Sequence, residues 1–170
     1  DLAALVCSQA IRKNANYAPI HNTAGMISVE LGNLNAAVSS FNRARQLDPT
    51  FYEAQMNYAA VNLQFRGFAQ AEEAYRAVVK MRPNDFDARL GLALAIRGQI
   101  DDSNFDKNVA AASAELAEAK RIAPDRAETY YNDAILTQEY KAKSGGKDGE
   151  AQLTAAKGLF GEFIKKAGAG

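Results

Sequence analysis

Small, aromatic and proline positions recur along the chain at intervals of 34 residues. Ala37 precedes Ala71 by 34 positions, and Phe41 precedes Tyr75 by the same interval. An apolar residue, a variable residue and a proline close three successive blocks, at Pro49, Pro83 and Pro124. A repeat of this length, with apolar residues three and four positions apart, predicts a helix–turn–helix unit.

The pattern predicts nine helices, whose approximate ranges are 1–13, 18–31, 35–47, 52–65, 69–81, 86–98, 106–122, 126–142 and 150–166. Close packing of paired helices needs small side chains. These occupy equivalent positions at Gly25, Ala59, Ala93 and Ala134 in the first helices, and at Ala37, Ala71, Ala112 and Ala156 in the second. Larger residues are expected to fill the space between pairs, at Phe41, Tyr75, Leu116 and Phe160. Proline ends the second helices, and Gly32 and Gly67 are expected to turn the chain with positive φ.

These positions resemble the tetratricopeptide repeat family over essentially the whole chain. The family's tryptophan position departs from the pattern in three repeats, where it holds His21, Gln55 and Arg89, whereas Tyr130 of the fourth repeat fits this core position. The resemblance implies an all-α, right-handed superhelical solenoid of a half repeat and four full repeats. It implies a single domain over residues 1–170, with its parts at 1–16, 17–50, 51–84, 85–125 and 126–170. The last two repeats have longer inter-helix loops, around residues 99–106 and 141–149.

Composition narrows the function. The chain has 20 basic and 20 acidic residues, and this balance argues against nucleic acid as a partner. No run approaches the roughly 20 apolar residues of a transmembrane helix. Because the sequence starts at Asp1 within a helical pattern, we expect a longer natural chain, and a lipid anchor upstream is one possibility. Compartment cannot be read from the composition.

Candidate chemistry is sparse. Cys7 and His21 are the only cysteine and histidine, which excludes most zinc sites and most catalytic triads. Cys7 is expected to pack in the aromatic position of its helix. The acidic run from Asp101 is interpreted as a solvated loop in which Ser103 or Asn104 caps the next helix. Residues 144–147 are interpreted as a polar loop without a phosphate site. We therefore predict no enzyme activity, no catalytic residue, no metal and no cofactor.

The resemblance also implies where a partner would bind, because first helices line the concave groove in this family. The predicted groove residues are Asn22, Met26, Val29, Met56, Ala60, Leu63, Leu90, Leu94, Arg97, Tyr131, Ile135 and Gln138. This stripe is mainly apolar, and the acidic residues nearby are Glu30, Glu53, Asp87 and Glu128. We expect it to bind an amphipathic helix or an extended apolar segment with basic flanks. Packed core and self-association are the alternative uses of the same stripe.

Some family members bind a terminal carboxylate through a basic clamp. The corresponding positions here hold Asn22, Met56 and Leu90, so the sequence argues against that clamp.

A narrower resemblance concerns residues 5–14, 16–25 and 53–62. These runs are similar to the tetratricopeptide lipoprotein group of the myxobacterial gliding-motility apparatus. That similarity implies a periplasmic scaffold, anchored to the outer membrane of a Gram-negative bacterium, within a trans-envelope motility assembly. The alternative is an accessory module of an enzyme whose catalytic domain lies outside this sequence. A peptide or small-molecule sensor would require a closed polar pocket, which the pattern does not predict.

Overall fold

The computed structural model describes residues 2–143 and 148–168. Over these residues the chain is all-α, as predicted, with nine α-helices and no strand. The helices are α1 (Leu2–Lys13), α2 (Ala18–Glu30), α3 (Leu34–Leu47), α4 (Tyr52–Gln64), α5 (Phe68–Met81), α6 (Phe86–Arg97), α7 (Phe105–Ile122), α8 (Ala127–Glu139) and α9 (Gly149–Ala167). The predicted eighth helix is shorter than expected, since a 3₁₀ turn at Lys141–Lys143 follows α8.

The helices belong to two compact units, Asp1–Pro83 and Asn84–Gly170. In unit 1, α2 packs on α3 and α4 packs on α5, while α3 joins the two pairs. In unit 2, α6 packs on α7 and α8 packs on α9. Each pair is a helical hairpin. The division of the sequence into one domain with five repeat segments stays a prediction.

The small positions lie where paired helices approach each other. Ala37, Ala71 and Ala112 are fully buried. At Gly25 the helices approach closely, because an added Cβ would lie 2.5 Å from Cδ1 and 2.9 Å from Cζ of Phe41. The absence of a side chain at Gly25 therefore makes room for the Phe41 ring.

His21, Gln55 and Tyr130, which occupy the family's tryptophan position in their repeats, make the same kind of contact. His21 Nε2 lies 2.8 Å from the carbonyl oxygen of Ala15. Gln55 Nε2 donates to Pro49 O at 3.0 Å, and Tyr130 Oη donates to Pro124 O at 2.8 Å. Each acceptor lies six residues back, in the turn before the first helix. These bonds fix the first helix of each of these hairpins to the turn that follows the preceding helix.

Among the residues that the structure describes, positive φ occurs at one expected position and one unexpected position. Gly32 has φ 70°, as predicted, whereas the prediction for Gly67 was wrong. Arg66 has φ 62° instead, and Gly67 is the N-cap of α5 with φ −75°. The reason is the repeat register, because Arg66 lies 34 positions after Gly32 and inherits its backbone conformation.

The loop before α7 is organised by Asp101. Its Oδ1 accepts from Ser103 N at 2.8 Å and from Ser103 Oγ at 2.6 Å. The predicted cap was wrong, because Asn104 is the N-cap residue but makes no side-chain cap bond. Its Oδ1 accepts from Asp101 N at 3.0 Å instead. The Ser103 hydroxyl, by donating to the carboxylate, lowers the pKa of Asp101. The predicted polar loop at 144–147 lies outside the described residues.

Candidate functional site

The predicted groove residues of unit 1 lie on one face of α2 and α4. We call Met26, Val29, Met56, Ala60 and Leu63 the unit-1 face. Met26 is 53 % exposed and Val29 is 41 % exposed. Ala60 is also exposed, whereas Met56 and Leu63 are half-buried. The exposed apolar side chains of this face thus lie in the C-terminal halves of α2 and α4.

A pocket of about 260 Å³ opens on this face. Three of its lining residues, Met26, Val29 and Ala60, belong to the predicted groove. The others are Glu30, Phe41, Asn57, Val61 and Gln64. Phe41 was expected only as core. The space left by Gly25 admits its ring, which contributes to the pocket lining.

Asn22 occupies a different environment from the rest of the predicted stripe. It is 8 % exposed, and its Oδ1 accepts from Asn57 Nδ2 at 2.9 Å. This bond links α2 to α4, so Asn22 positions the two helices. We therefore leave Asn22 out of the unit-1 face.

The pocket carries negative charge without a cation. Glu30 is exposed and forms no ion pair within the part of the chain that the structure describes. None of the lining residues is basic. A basic group brought to this pocket would therefore meet an unpaired carboxylate.

The acidic residues expected at the rim in unit 2 are paired. Arg126 Nη2 lies 2.8 Å from Glu128 Oε1 and 3.6 Å from Asp87 Oδ1. The hydrogen bond from Arg126 lowers the pKa of Glu128. Unpaired acid next to the predicted groove is therefore a feature of unit 1.

The predicted groove residues of unit 2 lie on α6 and α8. We call Leu90, Leu94, Arg97, Tyr131, Ile135 and Gln138 the unit-2 face. Tyr131 and Gln138 are exposed, and the other four are half-buried. The Tyr131 ring lies 5.2 Å from the ring of Phe163 and 6.0 Å from that of Phe160. Contact with α9 thus covers part of Tyr131.

Arg97 is the one cation of the unit-2 face. Its Nη1 donates to Asn132 Oδ1 at 3.1 Å and to Asn132 O at 3.5 Å. Burial lowers the pKa of Arg97, although Tyr140 and Tyr131 oppose that shift.

Cys7 packs within the fold, and His21 contacts a backbone carbonyl oxygen. Cys7 is buried, its Sγ lies 3.5 Å from Ile20 O, and burial raises its pKa. Over residues 2–143 and 148–168, no group of three or more His, Cys, Asp and Glu side chains could hold a metal ion. Within those same ranges, no helix combines the length and the hydropathy that a membrane span needs. The absence of enzyme activity stays a prediction.

Comparisons with known proteins agree with the helical hairpins. The model of the tetratricopeptide repeat family matches residues 18–51, which include α2 and α3. No curated protein matches the sequence significantly. Among solved structures, MamA 41-end from Desulfovibrio magneticus RS-1 has 18 % identity and a TM-score of 0.80, covering 98 % of this chain and 84 % of that one. A second MamA crystal structure has 17 % identity and a TM-score of 0.77, covering 98 % and 87 %. The chain therefore has the tetratricopeptide-repeat solenoid fold predicted from its sequence, and residues 18–51 match the sequence model of that family.

Proposed function

We propose that the chain is a non-enzymatic scaffold that binds a segment of a partner protein on the faces of its first helices. The observation that carries this proposal is the open apolar pocket of unit 1. Its lining includes the exposed apolar side chains of Met26 and Val29. An exposed apolar pocket is typical of a protein-binding site.

The pocket favours a particular segment. Met26, Val29 and Ala60 offer apolar contact, and methionine adapts to irregular partners. Burial of one large apolar side chain contributes about 1.5–3 kcal/mol. Glu30 adds an attraction for a basic side chain near that anchor. The partner segment is therefore an amphipathic helix or an extended apolar strand with basic flanks.

The decisive test compares two methionines of unit 1. Met26→Glu places a charge at the pocket, while Met81→Glu places the same charge at the end of α5, at a site 36 % exposed. Each variant and the parent chain are immobilised and incubated with extracts of the source organism. We expect Met81→Glu to retain the bound protein and Met26→Glu to retain at least about tenfold less, which corresponds to 1.4 kcal/mol.

Stability measurements decide whether the loss is specific. Both variants should unfold at nearly the same denaturant concentration as the parent chain, because both positions are exposed. If Met26→Glu unfolds the chain, the unit-1 face is core. If both variants retain equal amounts of the bound protein, the unit-1 pocket is not the binding site.

We further propose a setting, a periplasmic and outer-membrane-anchored assembly of the gliding-motility type. Its support is the similarity of residues 5–14, 16–25 and 53–62 to lipoproteins of that apparatus. Fractionation of cells that carry the tagged natural protein tests this proposal. We expect the protein in the outer-membrane fraction and defective gliding after deletion of its gene. Recovery in the cytosol, or normal gliding, would contradict it.

A further inference from the structure

Within the part of the chain that the structure describes, Arg97 differs from the other half-buried arginines in having no acidic partner. The side chain of Arg45 is 15 % exposed and pairs with Glu73 at 2.5 Å. The side chain of Arg89 is 16 % exposed and pairs with Glu115 at 2.6 Å. Over the described residues, Arg97 forms no ion pair, and Asn132 is the group that accepts its hydrogen bonds. Arg97 therefore bonds a neutral side-chain amide and a backbone carbonyl, whereas Arg45 and Arg89 each bond a carboxylate.

The environment makes the missing counter-ion costly. Burial disfavours the charged form of Arg97 and lowers its pKa, and a guanidinium stays protonated in spite of such shifts. A charge partly removed from water is stabilised best by a close opposite charge. Arg97 thus carries its charge on the unit-2 face, where the neighbouring residues Leu90 and Leu94 are apolar.

Arg97 still has hydrogen-bond donors that could bind a negatively charged group. A guanidinium has five N–H groups in a planar fork, and the bonds to Asn132 use only Nη1. The Nε and Nη2 groups make no hydrogen bond within residues 2–143 and 148–168. Nε and Nη2 form the edge of the fork that binds a carboxylate through two parallel bonds.

We infer that Arg97 binds the carboxylate of an Asp or Glu side chain of a partner polypeptide that docks on the unit-2 face. This inference rests on the proposed function, since it assigns one contact of the proposed protein-binding surface. A side-chain carboxylate suits the site because one guanidinium balances one negative charge, whereas phosphate groups are bound by clusters of cations. The site is also separate from the family's terminal-carboxylate clamp, whose positions hold Asn22, Met56 and Leu90.

A pair of short peptides tests the inference in the full chain. The acetylated and amidated peptides Ala-Glu-Leu and Ala-Gln-Leu differ in one charge and have no terminal carboxylate. Each is titrated while nuclear magnetic resonance follows the Arg97 Nε–H and the Asn132 side-chain amide. We expect the Glu peptide to shift both signals and to half-saturate at about tenfold lower concentration than the Gln peptide, the ratio that a charge-assisted hydrogen bond gives.

Variants separate binding from packing. Arg97→Met should abolish the response to the Glu peptide and leave the melting temperature unchanged or raised, because it removes a half-buried charge that has no acidic partner. Arg97→Lys should weaken the response, since lysine lacks the planar fork. Arg121→Gln is the matched control, as Arg121 is exposed and pairs with Glu118, and it should respond as the parent chain does.

Three results would overturn the inference. The first is equal binding of the two peptides. The second is a response to inorganic phosphate at lower concentration than to the Glu peptide, which would indicate a phosphate site. The third is a loss of more than about 5 °C in melting temperature for Arg97→Met, which would make Arg97 a structural residue. None of these three results depends on the unit-1 pocket. The comparison of Met26→Glu with Met81→Glu therefore tests the proposed function independently.

Discussion

Replacing Gly25 with alanine sets two known effects against each other. Gly25 lies within α2, where alanine is favoured over glycine by about 1 kcal/mol. The new Cβ, however, would lie 2.5 Å from Cδ1 and 2.9 Å from Cζ of Phe41, whose side chain is 3 % exposed. Overpacking of this kind costs about 1–3 kcal/mol. We therefore expect Gly25→Ala to lower the free energy of unfolding by about 1 kcal/mol, measured by urea denaturation with circular dichroism.

Two glycines of α9 are matched controls for the helix-propensity effect. An added Cβ at Gly158 or Gly161 would meet no atom within 4 Å. Each alanine substitution there should stabilise the helix by about 0.5–1 kcal/mol. The sign of the change should thus reverse between α2 and α9, although the chemical substitution is the same.

A second substitution tests the cause. In unit 2 the same pair of positions holds Ala93 and Leu116, which are both buried. Phe41→Leu should therefore relieve the clash, and the double variant should be no less stable than Phe41→Leu alone. Stabilisation by Gly25→Ala alone, equal to that at Gly158, would refute the close approach of α2 and α3. Additive effects of the two substitutions would refute Phe41 as the obstructing group.

The remaining predictions concern turns, a carboxylate and the core. Arg66→Gly should raise the free energy of unfolding by about 0.5–1 kcal/mol, because a non-glycine residue with φ 62° is strained; Gly32→Ala should lower it by about 1 kcal/mol, and the reverse order would contradict the turn assignment. Ser103→Ala should raise the pKa of Asp101, measured by nuclear magnetic resonance. The lowered pKa stabilises the native loop above the ordinary carboxyl range, and this stabilisation is lost as pH falls through the folded pKa; an unchanged midpoint would rule out the hydroxyl contact. Leu92→Ala, at a core position 1 % exposed, should destabilise unit 2 by about 2–5 kcal/mol in the same denaturation assay, and a loss below 1 kcal/mol would contradict its burial.

The helices were predictable because small and aromatic residues repeat at fixed spacing. The same spacing placed the core at Ala37, Ala71 and Ala112, which are fully buried. The general preference of glycine for positive φ gave a wrong prediction at Gly67. The repeat register, which aligns Arg66 with Gly32, predicts positive φ at Arg66 instead. Register was thus the better guide to backbone conformation than composition.

Polar side chains were harder to place, because their partners lie on other turns and helices. The sequence gives no sign that Asn57 bonds Asn22 or that Asn104 bonds back to Asp101. The substitutions at the tryptophan position lowered the match to the family pattern. Their common carbonyl acceptor, six residues back, could have been found by asking what His21, Gln55 and Tyr130 share as hydrogen-bonding groups.

The candidate site was predicted only in outline. The stripe of predicted groove residues included Met26, Val29 and Ala60. A stripe alone, however, does not distinguish residues that line a pocket from residues that pack in the core. Glu30 and Gln64 line the pocket because α2 and α4 bring them together in space. Arg97 was predicted as a groove residue, whereas its lack of a carboxylate partner among the described residues is a property of the folded unit.

Photo-crosslinking in living cells tests the scaffold most directly. A benzophenone amino acid is placed at Val29, on the unit-1 face, or at Met81, at the end of α5. A single cross-linked protein that forms from position 29, is absent from position 81 and disappears with Met26→Glu is the predicted result. Cross-links from position 81 alone, or from neither position in cells that need the protein, would contradict a partner bound at the first helices.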